Sequence, residues 1–184
     1  MRDELAILAQ CLGQCRVSGC EHAQCILERQ HRHGLKTEDG AIGLCSSTWS
    51  EALDIQALMG QRRGTAKTAY LETEYCRRAC DSAVAAARSA PADSAWLIAP
   101  AAEPKQFQSG TEAPNRDLMN RRLKEFLAWL RDCHPSFMLG HALLEHVHTM
   151  RTMRNTNGAE LQESRGVYEL SAVLSNRDQH RVPA

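Results

Sequence analysis

Apolar positions recur at helical spacing in three stretches of the chain and at strand spacing in others. Between Asp3 and about Val17, Leu5, Leu8, Leu12 and Cys15 return every three or four residues, and Ile7 and Cys11 widen the stripe. That spacing predicts an amphipathic helix, ended by Ser18-Gly19. A second helix is expected from Leu71 to about Ala90, with Leu71, Tyr75, Ala79, Cys80, Ala83, Val84 and Ala87 on one face and Pro91 as its stop. A third should start at Asn115, a plausible N-cap with Asp117 in the first turn, and run to about Cys133 ahead of Pro135. Its apolar face would be Met119, Leu123, Phe126, Leu127 and Leu130.

Helical spacing vanishes between His22 and Lys67, where short extended pieces alternate with glycine punctuation. The turn signal Glu38-Asp39-Gly40, then Gly60 and Gln61-Arg62-Arg63, divide a meander of about four strands. The piece SEALDIQALM reads either as strand or as helix, since Glu, Ala and Leu favour the latter. A late hairpin spans Thr149 to Ser175 around Asn155-Thr156-Asn157-Gly158, whose Asn-Gly tolerates positive φ. In its second arm Tyr168, Leu170, Ala172 and Leu174 alternate with Val167, Glu169, Ser171 and Val173, giving a strand with one apolar face. The tail NRDQHRVPA is polar and should fray.

These elements predict an α+β fold: a mainly antiparallel sheet, made of the N-terminal meander plus the late hairpin, packed with about three helices. The organisation expected is helix–meander–helix over 1–90, a Pro/Ala-rich linker over 91–114, and a helix plus hairpin over 115–184 that joins the same sheet as one domain. Within the linker, Trp96-Leu97-Ile98 should dock on the core.

Lys+Arg and Asp+Glu both number 22, so the formal net charge is zero. That removes the electrostatic footprint of a nucleic-acid or anionic-membrane binder. Arg62-Arg63, Arg77-Arg78 and Arg121-Arg122 read as solvated faces with acids nearby. No apolar run reaches the ~18 residues needed to span a bilayer. The N-terminal MRDELAILAQCLGQC carries Asp3 and Glu4 and is not a signal peptide, so a cytoplasmic location is expected. Eight cysteines include the ladder Cys11, Cys15, Cys20 and Cys25 and the pair Cys76 and Cys80, with Cys45 and Cys133 alone. No Cys-x-x-Cys occurs, and buried free thiols are favoured over a metal cluster or a disulfide framework.

HALLEHVH, with His141, Glu145, His146 and His148, offers a zinc-like set, but it misses the known helical zinc spacings by one residue. Feeding into a strand, it would place His146 and His148 on one face and His141 on the other, as surface histidines. His31 and His33 also share a strand face, and a metal site would need the two pairs to meet. Cys25 has His22 nearby, but on opposite faces of a strand. No nucleophile elbow, phosphate loop or dinucleotide fingerprint occurs, and GQRRGTAKT reads as a hairpin connection. The residues by themselves nominate no catalytic, cofactor-binding or metal-ligating site.

Four stretches resemble the N-terminal part of the TldD/PmbA family, the modulators of DNA gyrase. They are GCEHAQCILE; EDGAIGLCSS followed by GQRRGTAKT and a helix ending SAVAAARSAPAD; LKEFLAWLRD leading into a strand; and RNTNGAELQESRGVYELSAVLS. The last is the most specific. It is similar to the family's Asn-Ser-x-Gly hairpin and its following Arg-x-x-Tyr-x-Leu-Ser strand, with Thr156 replacing the usual serine. Cysteine richness is a further departure. The resemblance, over about Gly19 to Ser175, implies a metallopeptidase family that works as paired subunits on small or unfolded peptides. It also implies a zinc site, His-Glu-x-x-x-His, in a C-terminal half. No residue here matches that motif, so the chain is expected to be an N-terminal, non-catalytic portion, inactive alone and without its own cofactor. Its expected partners are a TldD/PmbA-type subunit, in a homo- or hetero-oligomer, and a peptide substrate, with no nucleic acid and no membrane. The alternatives are a stand-alone accessory module that pairs with a peptidase subunit, or a Cys/His metal-binding protein.

Overall fold

In a computed structural model the described residues are 4–38 and 40–176. Asp3, Asp39 and the polar tail beyond Asn176 lie outside them. The element order is α1 (Glu4–Val17), β1 (His22–Glu38), β2 (Ala41–Met59), β3 (Arg62–Thr68), α2 (Thr73–Ser89), β4 (Lys105–Ser109), α3 (Arg116–Cys133), β5 (Phe137–Asn155) and β6 (Glu160–Asn176). The six strands form one sheet in the order β3-β2-β1-β5-β6-β4. The fold is therefore the expected α+β class, and the late hairpin β5–β6 extends the sheet of the first half through β1.

The region between His22 and Lys67 holds three strands, where four are expected. SEALDIQALM is the second part of one 19-residue strand, β2, which runs on without a break from AIGLCSSTW. Burial of Leu53, Ile55 and Ala57 at every second residue wins over the helix propensity of Glu, Ala and Leu. Gly60 and Gln61 turn the chain with φ of 50° and 63°, the paired positive values of a tight hairpin. β3 then pairs antiparallel with β2, Ala57 opposite Gly64 and Leu53 opposite Thr68. The linker holds the short exposed strand β4.

The chain divides into two compact units: Met1–Gln30 with Ser50–Gln108 and Thr149–Ser164, and His31–Trp49 with Ser109–His148 and Arg165–Ala184. In the first, α1 buries Leu8, Cys11, Leu12 and Cys15, and α2 buries Cys76, Ala79, Cys80, Ala83, Val84 and Ala87. Both pack into one core with Ala23, Cys25 and Leu27 of β1 and Leu53, Ile55 and Ala57 of β2. Tyr75, expected on the apolar face of α2, is exposed, and Cys76 takes the inward position. α2 lies so close to β3 that a Cβ on Gly64 would fall 2.0 Å from the Ala83 carbonyl oxygen and 2.2 Å from the Ala87 nitrogen. Only glycine fits there.

The hairpin tip belongs to the same unit. Buried Asn155 accepts from the Asn157 and Ala159 amides at 3.0 Å through Oδ1, and donates from Nδ2 to the Ala99 carbonyl at 3.0 Å. The Thr156 amide donates to the Ala23 carbonyl, and the Ala23 amide donates back to Thr156 Oγ1 at 3.0 Å. A serine hydroxyl would serve equally, which explains how threonine stands at this position. The Ile98 and Ala99 carbonyls accept from Asn157 Nδ2, and Trp96 stacks beneath the Arg63 guanidinium at 3.4 Å. The expected docking of 96–98 is thus made by Trp96 and backbone, while Leu97 is exposed.

In the second unit α3 begins as expected. Asn115 Oδ1 accepts from the Leu118 amide at 2.9 Å, satisfying one orphan donor of the first turn. Met119 and Leu123 pack on Ala142 and Leu144 of β5, flanked by half-buried Leu35, Ile42, Phe126 and Leu139.

Candidate functional site

The second unit carries a hollow of about 820 Å³. The end of β1 (His33, Gly34, Leu35), the start of β2 (Ala41 to Ser47) and the first turns of α3 enclose it. Its apolar lining is Leu35, Ile42, Met119 and Leu127, and its polar side chains include Arg116, Asp117, Asn120 and Lys124. A second hollow of about 560 Å³ adjoins it, sharing Gly40, Lys124 and Leu127 and adding Pro135, Phe137, Met138 and Leu139. Helix geometry produces this layout. Residues 116, 120, 124 and 127 are spaced three or four apart, so they form one row along α3 beside the buried Met119–Leu123 seam.

Histidines gather close by. On β5, Ala142 and Leu144 face α3, and the same alternation turns His146 and His148 to that face and His141 away. The face assignment expected from sequence holds, but the expected surface position of His146 and His148 does not: both are buried, His146 fully. Thr111 covers His146. The His146 Nε2–H donates to the Thr111 carbonyl at 2.8 Å, because a carbonyl can only accept. Nδ1 is then a bare acceptor, and it is a buried polar atom without a partner. Tyr168 packs beside the ring at 4.8 Å and its hydroxyl accepts from the Asn115 amide at 2.9 Å.

On β1, the His31 ring stacks on Trp49 at 3.7 Å and lies 3.9 Å from the His33 ring, with Nε2 2.9 Å from Ser47 Oγ. Burial holds the His31 imidazole below its ordinary pKa, with smaller contributions from His148, His146 and Arg116. Burial likewise lowers that of His33, helped by His31, Arg116 and His146. The two histidine pairs therefore do come within electrostatic reach of each other, which sequence spacing alone could not establish. Among the described residues, however, no three His, Cys, Asp or Glu side chains are arranged to hold a metal ion.

Cys25 and His22 sit on opposite faces of β1 as expected, Cys25 buried and His22 exposed. Six cysteines are buried and two, Cys45 and Cys133, are exposed; all are free thiols. Sequence reasoning missed the groove itself. Its only sequence signal was the cationic row Arg116, Lys124 on an otherwise mixed helix face. Among the described residues, no helix is long and apolar enough to cross a membrane.

No family model matches the chain, and no curated protein matches it. Solved structures do match its fold. TldE from Thermococcus kodakarensis is 15% identical with a TM-score of 0.69, over 94% of this chain and 40% of that one. A proposed modulator of DNA gyrase from Bacteroides thetaiotaomicron is 13% identical, with a TM-score of 0.73 over 97% of this chain and 42% of that one. Another from Thermotoga maritima is 14% identical, with a TM-score of 0.62 over 97% of this chain and 41% of that one. The chain has the fold found in these TldE and gyrase-modulator structures, and it spans about two fifths of their length.

Proposed function

We propose that the chain is the N-terminal, non-catalytic portion of a TldD/PmbA-like metallopeptidase, acting in the cytoplasm in the proteolysis of small or unfolded peptides. The observation that carries this reading is the fold likeness along nearly the whole chain to about two fifths of proteins of that group. The hairpin wording read from sequence supports it independently, because Asn155, Thr156 and Asn157 each make the tip's structural bonds.

The chain's own contribution is to hold peptide. The paired hollows of the second unit offer an elongated apolar floor with Arg116 and Lys124 along one side and Asp117 among them. An extended peptide would lay apolar side chains on Leu35, Ile42 and Met119 and present a carboxylate to the two cations. Ser47 of the groove wall meets the His31 ring at 2.9 Å, but the family likeness assigns bond cleavage to a zinc-bearing part outside this chain. A partner surface is favoured by β6, where Tyr168, Leu170, Val173 and Leu174 are exposed on an otherwise regular strand. That surface fits a TldD/PmbA-type subunit.

Fluorescence anisotropy with a dye-labelled, unstructured peptide bearing leucines and a free carboxyl terminus tests this reading. The chain should bind it, Arg116→Glu with Lys124→Glu should weaken binding at least about tenfold, and a quenched-fluorophore version should remain uncut. Chelator-sensitive hydrolysis by this chain alone would refute the non-catalytic assignment.

A further inference from the structure

The first unit gathers thiols from three elements into one place. Cys11 and Cys15 come from α1, Cys25 from β1 with Cys20 just ahead of it, and Cys76 and Cys80 from α2. All six belong to a single buried cluster. Within it the Cys15 thiol feels those of Cys20, Cys25 and Cys80, and the Cys11 thiol those of Cys80 and Cys76. Cys80 Sγ also lies 3.5 Å from the Cys11 carbonyl oxygen.

Buried thiols in an apolar core are usually inert. This cluster differs in having an approach. A cavity of about 60 Å³ is lined by Cys11, Cys76 and Cys80 together with Gln10, Gln14, Thr73 and Arg77. The thiols are its buried side, and exposed Gln10, Thr73 and Arg77 are its rim. That volume exceeds what one water needs, and it admits a solute of two oxygens. Exposed Cys45 and Cys133 have no such thiol neighbours in the cluster.

We propose that this cavity is an oxidation site for a small peroxide, at which Cys11 and Cys80 form a disulfide that ties α1 to α2. The Cys11 sulfur, as thiolate, attacks one peroxide oxygen, the O–O bond breaks, and a sulfenic acid forms as the other oxygen leaves and takes up a proton as water. The Cys80 thiol then gives up its proton, its sulfur attacks the sulfenic sulfur, and a second water leaves. Two thiols and one hydrogen peroxide thus become one disulfide and two waters, the peroxide taking the two electrons that the sulfurs lose. Two features assign the roles. The Cys11 thiol is pulled below its ordinary pKa chiefly by the hydrogen bond from Cys80, against the opposing effect of burial. The Cys80 thiol is pushed up, chiefly by its interaction with Cys11, then by that with Cys15 and by burial. Cys11 is therefore the nucleophile toward peroxide and Cys80 the resolving thiol. Cys76 and Cys80 share one helix a turn apart and both face the cavity, and Cys80 is singled out by the approach of its Sγ to the Cys11 carbonyl oxygen at 3.5 Å.

The test treats the folded, reduced chain with hydrogen peroxide, blocks remaining thiols with N-ethylmaleimide, and maps peptides by mass spectrometry. The expected result is a Cys11–Cys80 crosslinked peptide, lost on reduction, with a rise in melting temperature of the oxidised chain. Cys80→Ala should abolish both the crosslink and the rise. Should that variant fail to fold, the wild-type peptide map still decides. Oxidation confined to Cys45 and Cys133, a disulfide joining a different pair, or stoichiometric zinc held by the cluster and shielding it from peroxide would each overturn the proposal.

Discussion

The two units solve the same problem, burying one face of a strand layer, with opposite economies. The first uses two helices and fills the interface with small side chains and thiols: Ala79, Ala83, Ala87, Cys11, Cys15, Cys76 and Cys80. Small residues let helix backbones approach closely, and Gly64 beneath Ala83 and Ala87 is the extreme case. The second uses one helix and fewer residues, Met119 and Leu123 against Ala142 and Leu144. It leaves uncovered a hollow of about 820 Å³ beside α3 and an apolar stretch on β6. A close-packed unit resists deformation, whereas a thinly covered one keeps room for ligands.

That contrast is breakable by mutation. The largest effect is expected at Gly64→Val, which drives a side chain into backbone atoms of α2 that cannot rotate away. Urea titration should show a loss of more than about 4 kcal/mol or outright failure to fold. A mild variant would mean that the helix–strand approach is slack. Next is Leu123→Ala, which empties a fully buried site. It should cost about 2–5 kcal/mol, and hydrogen exchange should show the second unit loosening ahead of the first. Uniform loosening across both units would erase the distinction.

Asn155→Ala comes third. It strands the Asn157 and Ala159 amides, while the Ala99 carbonyl keeps Asn157 Nδ2, at roughly 1–3 kcal/mol. Denaturant unfolding measures it, and a loss below a few tenths would show that water replaces the tip's bonds. The smallest effect concerns pH. His31 and His33 titrate below their ordinary value of about 6.5, so the unfolded chain takes up protons first. Their contribution to stability is full above that value and is lost as pH falls through the folded-state pKa. Melting temperature should therefore drop on acidification from about pH 7 to pH 5, and less so in a His31→Gln, His33→Gln variant. An equal drop in that variant would assign the sensitivity elsewhere.

Features governed by near neighbours were legible in the sequence. The α3 cap at Asn115, the glycine-bearing turns and the Asn155–Gly158 tip depend on residues within a few positions, and each appears where its local chemistry puts it. Features set by distant partners were not. The span of β2 across Trp49 and Ser50 depends on neighbouring strands rather than on its own mixed propensities. Burial of His146 depends on Thr111, thirty-five residues away. β4 carries a single large apolar residue, Phe107, and is exposed throughout, so it shows no alternation. For the groove, sequence showed the cations of α3 but not the β1–β2 wall opposite, so neither the hollow nor its floor could be read. The thiol cluster was half visible: helical spacing put Cys11 with Cys15 and Cys76 with Cys80, but only the fold brings the two pairs together.

The central claim is that peptide binding belongs to the second unit and to its α3 groove. Hydrogen–deuterium exchange of the chain with and without an unstructured, leucine-bearing peptide tests it most directly. The account predicts added protection over residues 33–47 and 116–127, with α1 and α2 unchanged. Protection confined to α1 and α2, or none at saturating peptide, would contradict it.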